Sequence, residues 1–135
     1  MSSGILIDSS LFIEHMRAKD KKNTFLADIL RHDSMLFISA VVEYEVELGM
    51  TPRHIEQWST IRRRLKILPF ESSKALMACK VKHELKAKGK HIDLADLFIA
   101  ATAIVNGLPL ATLNRKHFDN IDGLRLLLPQ PLTEP

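Results

Sequence analysis

Five short runs rich in Ile and Leu recur along the chain, at residues 5–8, 35–39, 65–68, 108–112 and 124–128, and longer segments separate them. That alternation limits the fold more than any other feature of the sequence. The runs lack the apolar and polar alternation of a strand with one wet face, so they read as strands buried on both faces, the hallmark of a parallel sheet. Residues 10–17, 24–32, 40–50, 52–64, 72–88 and 93–106 between them carry helical spacing. Strands alternating with helices predict an α/β protein. Boundary residues agree with this reading: Ser39 is placed to cap the third helix, Gly49 lies near its end, Pro52 suits the first turn of the next, and Gly89 and Gly107 close later helices.

With 135 residues, 46% hydrophobic and 26% charged, the chain has the size and balance of one ordinary globular domain, expected to span residues 1–135 with 129–135 as a tail. Cys79 is the sole cysteine, which excludes an internal disulfide framework, and no Cys and His spacing fits a zinc site. Its helix is rich in Ala, Leu and Met, so Cys79 is expected in the core. The apolar run at 5–7 stops at Asp8, too short for a signal peptide, and nothing approaches the ~18 apolar residues of a membrane span. A soluble, cytoplasmic protein is expected. The net charge of +3 permits a nucleic-acid partner without pointing to one.

In parallel α/β sheets, ligands bind beyond the carboxyl ends of the strands, and Asp8 falls at such an end. It also stands where it could simply cap the following helix. In the third helix, Val41, Tyr44, Glu45 and Leu48 share one arc, while Glu43 and Glu47 project from the other side and read as solvated. Glu45 therefore lies within an apolar face, where an unpaired carboxylate costs several kcal/mol and calls for a cationic partner, either an Arg or Lys or a metal. The segment 93–106 is apolar nearly all round and must be a buried helix. Its acids are Asp93, a capping candidate, and Asp96, which shares a side with Ile99, Ala100 and Ala103 and should point inward. Carboxylates that converge resist ionisation unless a cation joins them, and oxygen-only ligands suit Mg²⁺ or Mn²⁺ better than zinc.

Taken in order, Ile5-Leu6-Ile7-Asp8-Ser9-Ser10, Ile38-Ser39 with Glu45 and Gly49, Asp96-Leu97-Phe98-Ile99-Ala100-Ala101, and Asn106-Gly107-Leu108-Pro109-Leu110-Ala111-Thr112-Leu113-Asn114 through Phe118 and Gly123-Leu124 resemble the PIN domains of VapC-type toxins. The resemblance runs through essentially the whole chain. It implies a three-layer α/β/α sandwich with a central parallel sheet, usually homodimeric, and an inhibitory antitoxin partner. It implies a metal-dependent ribonuclease in which Asp8, Glu45 and Asp96 are the catalytic, Mg²⁺- or Mn²⁺-binding acids, with Ser10 and Thr112 supporting them. Many members carry a fourth acid after the last site strand, whereas this chain has Thr112-Leu113-Asn114-Arg115-Lys116-His117-Phe118. Three accounts of that departure stay open: Asn114 orients a water or a ligand, Asp93 supplies the charge, or a second metal arrives with substrate.

The departure also leaves room for a degenerate PIN domain that binds RNA or a protein without cleaving. An aspartyl phosphatase would want a second acid two residues after the strand-end nucleophile, and Ser10 occupies that place. The basic residues Arg53, Arg62, Arg63, Arg64 and Lys66, and Lys74 to Lys90 on the next helix, suit either RNA guidance or a solvated face. Trp58 suits either an interface or packing within the domain.

Overall fold

A computed structural model describes residues 4–32 and 34–130, and each of the five runs enters one parallel sheet. The strands are β1 (Gly4–Ile7), β2 (Met35–Ser39), β3 (Leu65–Leu68), β4 (Leu110–Ala111) and β5 (Leu126–Leu127), in the order β3-β2-β1-β4-β5. Helices α1 (Ser9–Arg17) and α2 (Phe25–Leu30) lead from β1 to β2, and α3 (Ala40–Gly49) and α4 (Ile55–Arg62) from β2 to β3. The chain then crosses back through α5 (Ser72–Ala87) and α6 (Leu94–Asn106) to lay β4 on the free side of β1, and α7 (Arg115–Phe118) leads to β5. Because right-handed crossovers are strongly favoured, the reversal sends the two groups of helices to opposite faces. The switch point lies between β1 and β4, where such sheets open a crevice.

Strands β4 and β5 are shorter than the runs that predicted them, yet the ladder continues past their ends. Leu6 N–H donates to Pro109 O and Asp8 N–H to Ala111 O, both at 2.9 Å, and Thr112 N–H donates to Leu127 O at 3.2 Å. The last residue of this ladder on β1 is Asp8, so the acid is fixed by backbone pairing before its side chain makes any contact.

Leu6, Ile7, Ile38 and Leu110 of the sheet and Leu11, Val42 and Ile99 of the helices are completely buried. Helix α6 is the most deeply set: Ala100, Ala101, Thr102 and Ala103 are all fully buried, and small side chains there allow the helix to lie close to its neighbours. The Thr102 hydroxyl is satisfied by donating to Phe98 O at 2.8 Å. Gly107 ends the helix with φ of +63°, a conformation that costs a residue with a Cβ and not glycine. On the other side, Trp58 packs edge-on against Phe12, with centroids 5.3 Å apart and planes at 80°, so it serves packing within the domain.

Several details differ from the sequence-based expectations. Helix α4 begins at Ile55, because residues 51–54 close a turn in which His54 N–H donates to Thr51 O, and Pro52 precedes the helix. Cys79 is exposed: the inward line of α5 runs through Lys74, Ala78, Val81 and Leu85, which turns position 79 outward. Lys74, expected on a basic face, is buried on that line with its ammonium 2.9 Å from Glu71 Oε1. Arg62 pairs with Glu43, and Arg64 donates to Leu30 O at 3.1 Å, so part of the basic exit of α4 is occupied in holding the fold. Helix α7 went unpredicted. Residues 131–135 of the expected tail lie outside the described residues.

Ser39 links this framework to the site, since its buried hydroxyl accepts the Val42 N–H at 3.0 Å and fixes where α3 begins. Replacing it with alanine strands that donor, so Ser39→Ala should cost about 1 kcal/mol and lower the melting temperature by roughly 3–5 °C. A thermal melt followed by circular dichroism checks this, and an unchanged midpoint would refute the cap.

Candidate metal centre

Asp8 stands at the N-cap position of α1, but its side chain makes no capping bond. It is buried, and Oδ2 accepts hydrogen bonds from Ser10 Oγ at 2.7 Å and Thr112 Oγ1 at 2.8 Å. Each hydroxyl is in turn an acceptor, Ser10 Oγ from Leu113 N–H at 3.1 Å and Thr112 Oγ1 from Asn114 N–H at 2.9 Å. Each hydroxyl thus accepts one backbone N–H and gives its single proton to the carboxylate. Among the described residues no hydrogen bond reaches Oδ1, which is free to face a ligand.

Helix α3 presents its acids to three different surroundings. Glu43, on the side read as solvated, pairs with Arg62, and Glu47 accepts from Trp58 Nε1 at 2.9 Å, so both tie α3 to α4. The core-facing line of α3 is Val42 and Val46; Tyr44 and Leu48 are exposed, so the arc that contains Glu45 flanks the core and does not enter it. Glu45 is half-buried at that flank, above a groove of about 310 Å³ lined by Phe12, Ile13, Met16 and Val46. Its Oε1 is buried with no hydrogen-bond partner, and among the described residues no Arg or Lys pairs with it. Burial pushes the Glu45 carboxyl above its ordinary value, a hydroxyl contact with Ser9 draws it back in part, and the charges of Asp8 and Asp96 push it up further.

Asp96 lies in the first turn of α6 with its carboxylate mostly covered. Burial raises its pKa, the nearby His117 lowers it, and the charges of Asp8 and Asp93 raise it. Imidazole Nδ1 of His117 stands 3.1 Å from Asp96 Oδ2. Asp93 occupies the N-cap position of α6 without a side-chain cap, exposed and 3.4 Å from His91 Nε2, at the rim of the site. The Asn114 side chain makes no capping bond to α7; the residue takes part through its backbone N–H.

The structure therefore brings Asp8, Glu45 and Asp96 into one electrostatically coupled group, with Ser10 and Thr112 behind Asp8. Sequence reasoning missed Ser9 beside Glu45 and His117 beside Asp96. Among the described residues, no three His, Cys, Asp or Glu side chains stand close enough together to form a ready cage for an ion. An orphaned buried oxygen and two carboxyls raised by burial and by neighbouring acids, Asp8 among them in both cases, mark a group short of positive charge, and an oxygen-rich donor set of this kind fits a hard divalent ion.

The sequence matches the PIN domain profile over residues 5–124, and the chain belongs to the PIN-domain family. It is 32% identical over 127 residues to ribonuclease VapC1 of Methanocaldococcus jannaschii, a match covering 92% of this chain and 87% of that one. Among solved structures, the DNA-bound VapBC of Salmonella typhimurium superposes with a TM-score of 0.80 at 22% identity, covering 95% of this chain and 98% of that one. VapBC-5 of Mycobacterium tuberculosis, from the VapBC family of toxin-antitoxin systems, superposes with a TM-score of 0.69 at 21% identity, covering 93% and 98%. At these identities the two structures support the fold, an α/β/α sandwich around a parallel sheet.

Raised carboxyls fix the sign of a pH effect. Folding raises the Glu45 and Asp96 pKa values, so the folded state holds protons that the unfolded chain releases, and metal-free stability falls as pH rises from the ordinary carboxylate range through the raised values. In EDTA at pH 7.5, Glu45→Gln should melt roughly 2–5 °C above wild type, the shift that ~1 kcal/mol makes in a chain of this size. The gap should shrink near pH 4. A variant less stable than wild type at both values would contradict the crowding of charge.

Proposed function

We propose that this protein is a metal-dependent ribonuclease that acts as the toxin of a toxin-antitoxin pair, with Asp8, Glu45 and Asp96 as its catalytic acids. The observation that carries the reading is the buried, unpartnered Oε1 of Glu45, a carboxyl already pushed up by burial and by the charges of Asp8 and Asp96. These three side chains would hold Mg²⁺ or Mn²⁺, with Asp93 at the rim as a candidate for a further ion. When bound, such an ion supplies a water activated for attack on phosphate and neutralises charge that develops on the phosphate and the leaving oxygen.

The chain's own residues do the positioning. Ser10 and Thr112 hold Asp8 by one oxygen and leave the other free. The helix dipoles of α1 and α6, whose first turns lie at the site, favour negative charge there, both that of the acids and that of an RNA phosphate. Hydrolysis by water with the 3′ oxygen leaving yields a 5′ phosphate and a 3′ hydroxyl, with the proton of the water passing to solvent and no covalent bond to the protein.

The antitoxin belongs to the same reading. The groove between α1 and α3 has apolar walls of Phe12, Ile13 and Met16 and ends at Glu45, so it suits an apolar helix that delivers a basic side chain to the acids. Homodimer formation is part of the proposal as well, and exposed Tyr44, Leu48, Leu76 and Leu94 offer apolar surface for it. We place the protein in the cytoplasm, where its RNA substrate is found; among the described residues no helix is long and apolar enough to cross a membrane.

Purified protein should cleave RNA with Mg²⁺ or Mn²⁺, lose activity in EDTA and leave 5′ phosphates, read by end-group analysis. Glu45→Gln should reduce the rate by at least about 100-fold, whereas Glu43→Gln, which removes only a surface pair worth about 0–1 kcal/mol, should cut at nearly the wild-type rate. Products ending in 2′,3′-cyclic phosphate, or cleavage that survives in Asp8→Asn plus Asp96→Asn protein, would sink this mechanism. Metal binding without cleavage would favour a non-catalytic PIN domain. Expressed alone the protein should arrest growth, and co-expression with its antitoxin should restore it; unimpaired growth with verified folded protein would remove the toxin role.

A further inference from the structure

The turn from β4 into α7 reaches two of the three acids. At its start, Thr112 donates to Asp8, and the N–H groups of Leu113 and Asn114 hold the two hydroxyls that do so. One helical turn later, His117 stands with Nδ1 3.1 Å from Asp96 Oδ2. Phe118, buried at 2% exposure, anchors α7 to the core, while the imidazole beside it remains half-exposed and directed to Asp96. Asn114, by contrast, uses its backbone and not its side chain, and Asp93 points to His91 at the rim. The side chain from this stretch that meets Asp96 is therefore the histidine.

We infer that His117 is a positioning residue for Asp96 and stands in for the acid absent from this turn: its Nδ1–H holds Oδ2 and turns Oδ1 toward the ion. This rests on the metal-dependent reading above. The role parallels that of Ser10 and Thr112 on Asp8, where hydroxyl donors engage one oxygen and leave the other open. Outer partners of this kind orient a ligand carboxylate and typically set metal affinity by 10–100-fold. An imidazole also differs from a fourth carboxylate in bringing no negative charge to a site where neighbouring acids already push Glu45 and Asp96 up.

The test is calorimetric titration of Mn²⁺ and of Mg²⁺ into the purified protein, without RNA, for wild type, His117→Ala and His117→Asn. The asparagine amide nitrogen occupies the position of imidazole Nδ1 and keeps the donor. Alanine should weaken binding by roughly 10–100-fold, and asparagine should restore it to within a few-fold of wild type, with circular dichroism melts verifying that both variants fold. Alanine protein that binds as tightly as wild type, or more tightly, would overturn the inference by making the imidazole a bystander or a competitor. Equal weakening in both variants would overturn the hydrogen-bond role. Wild-type protein that binds neither ion would instead overturn the metal reading on which the inference depends.

Discussion

One carboxylate oxygen, Oδ2 of Asp8, joins the first strand of the sheet to the turn that follows the fourth, through Ser10 on one side and Thr112 on the other. A buried acid is tolerated only where donors meet it, and here the donors are hydroxyls each held by a backbone N–H of that turn. The arrangement requires β1 and β4 to be neighbours in register, which the crossing back of α5 and α6 secures. Remove the adjacency and the acid would lie buried without partners. The fold and the site are in this sense one problem: the strand order that creates the crevice also supplies the hydroxyls that meet the Asp8 side chain inside it.

The other two acids are treated differently. Asp8 has its charge answered by the protein, whereas Glu45 keeps an unpartnered oxygen and Asp96 has a single imidazole beside it. Raised carboxyls at a crevice are a common mark of functional groups, because a structural ion pair would have lowered them. On α3 the contrast lies within one helix, since Glu43 and Glu47 both found partners on α4 while Glu45 found none.

Much of this was legible in the sequence, for reasons that separate by element. The five runs could be located because strands buried on both faces need continuous apolar sequence, and Ser39 and Gly107 marked ends because capping and left-handed backbone depend on local chemistry alone. Asp8 and Asp96 stood out as acids in apolar surroundings, as did Glu45, although the arc chosen for Glu45 turned out to flank the core. A helical wheel gives relative angles and not the absolute direction of the core, which Val42 and Val46 define only once α3 is docked. Helix α7 was too short to show a period, so His117 had no signal to separate it from its neighbours. Ser9 was equally hidden, because a hydroxyl after a strand-end acid reads as a cap. Cys79 and Lys74 exchanged their expected places since α5 has Lys and Ala scattered around it and a weak inward pattern.

The span bridged by the Asp8 hydrogen bond has a further meaning for how the molecule comes into being. Asp8 and Thr112 are 104 positions apart, so Thr112 joins the growing chain long after the strand that precedes Asp8. Until β4 lies beside β1, Asp8 has Ser10 as a neighbour but lacks Thr112 and the turn whose N–H groups hold both hydroxyls. A partly synthesised chain, however well its first three strands have collapsed, holds loose acids and no assembled centre. Assembly of the centre is thereby tied by topology to the arrival of β4, long after the strand that leads into Asp8 has been made.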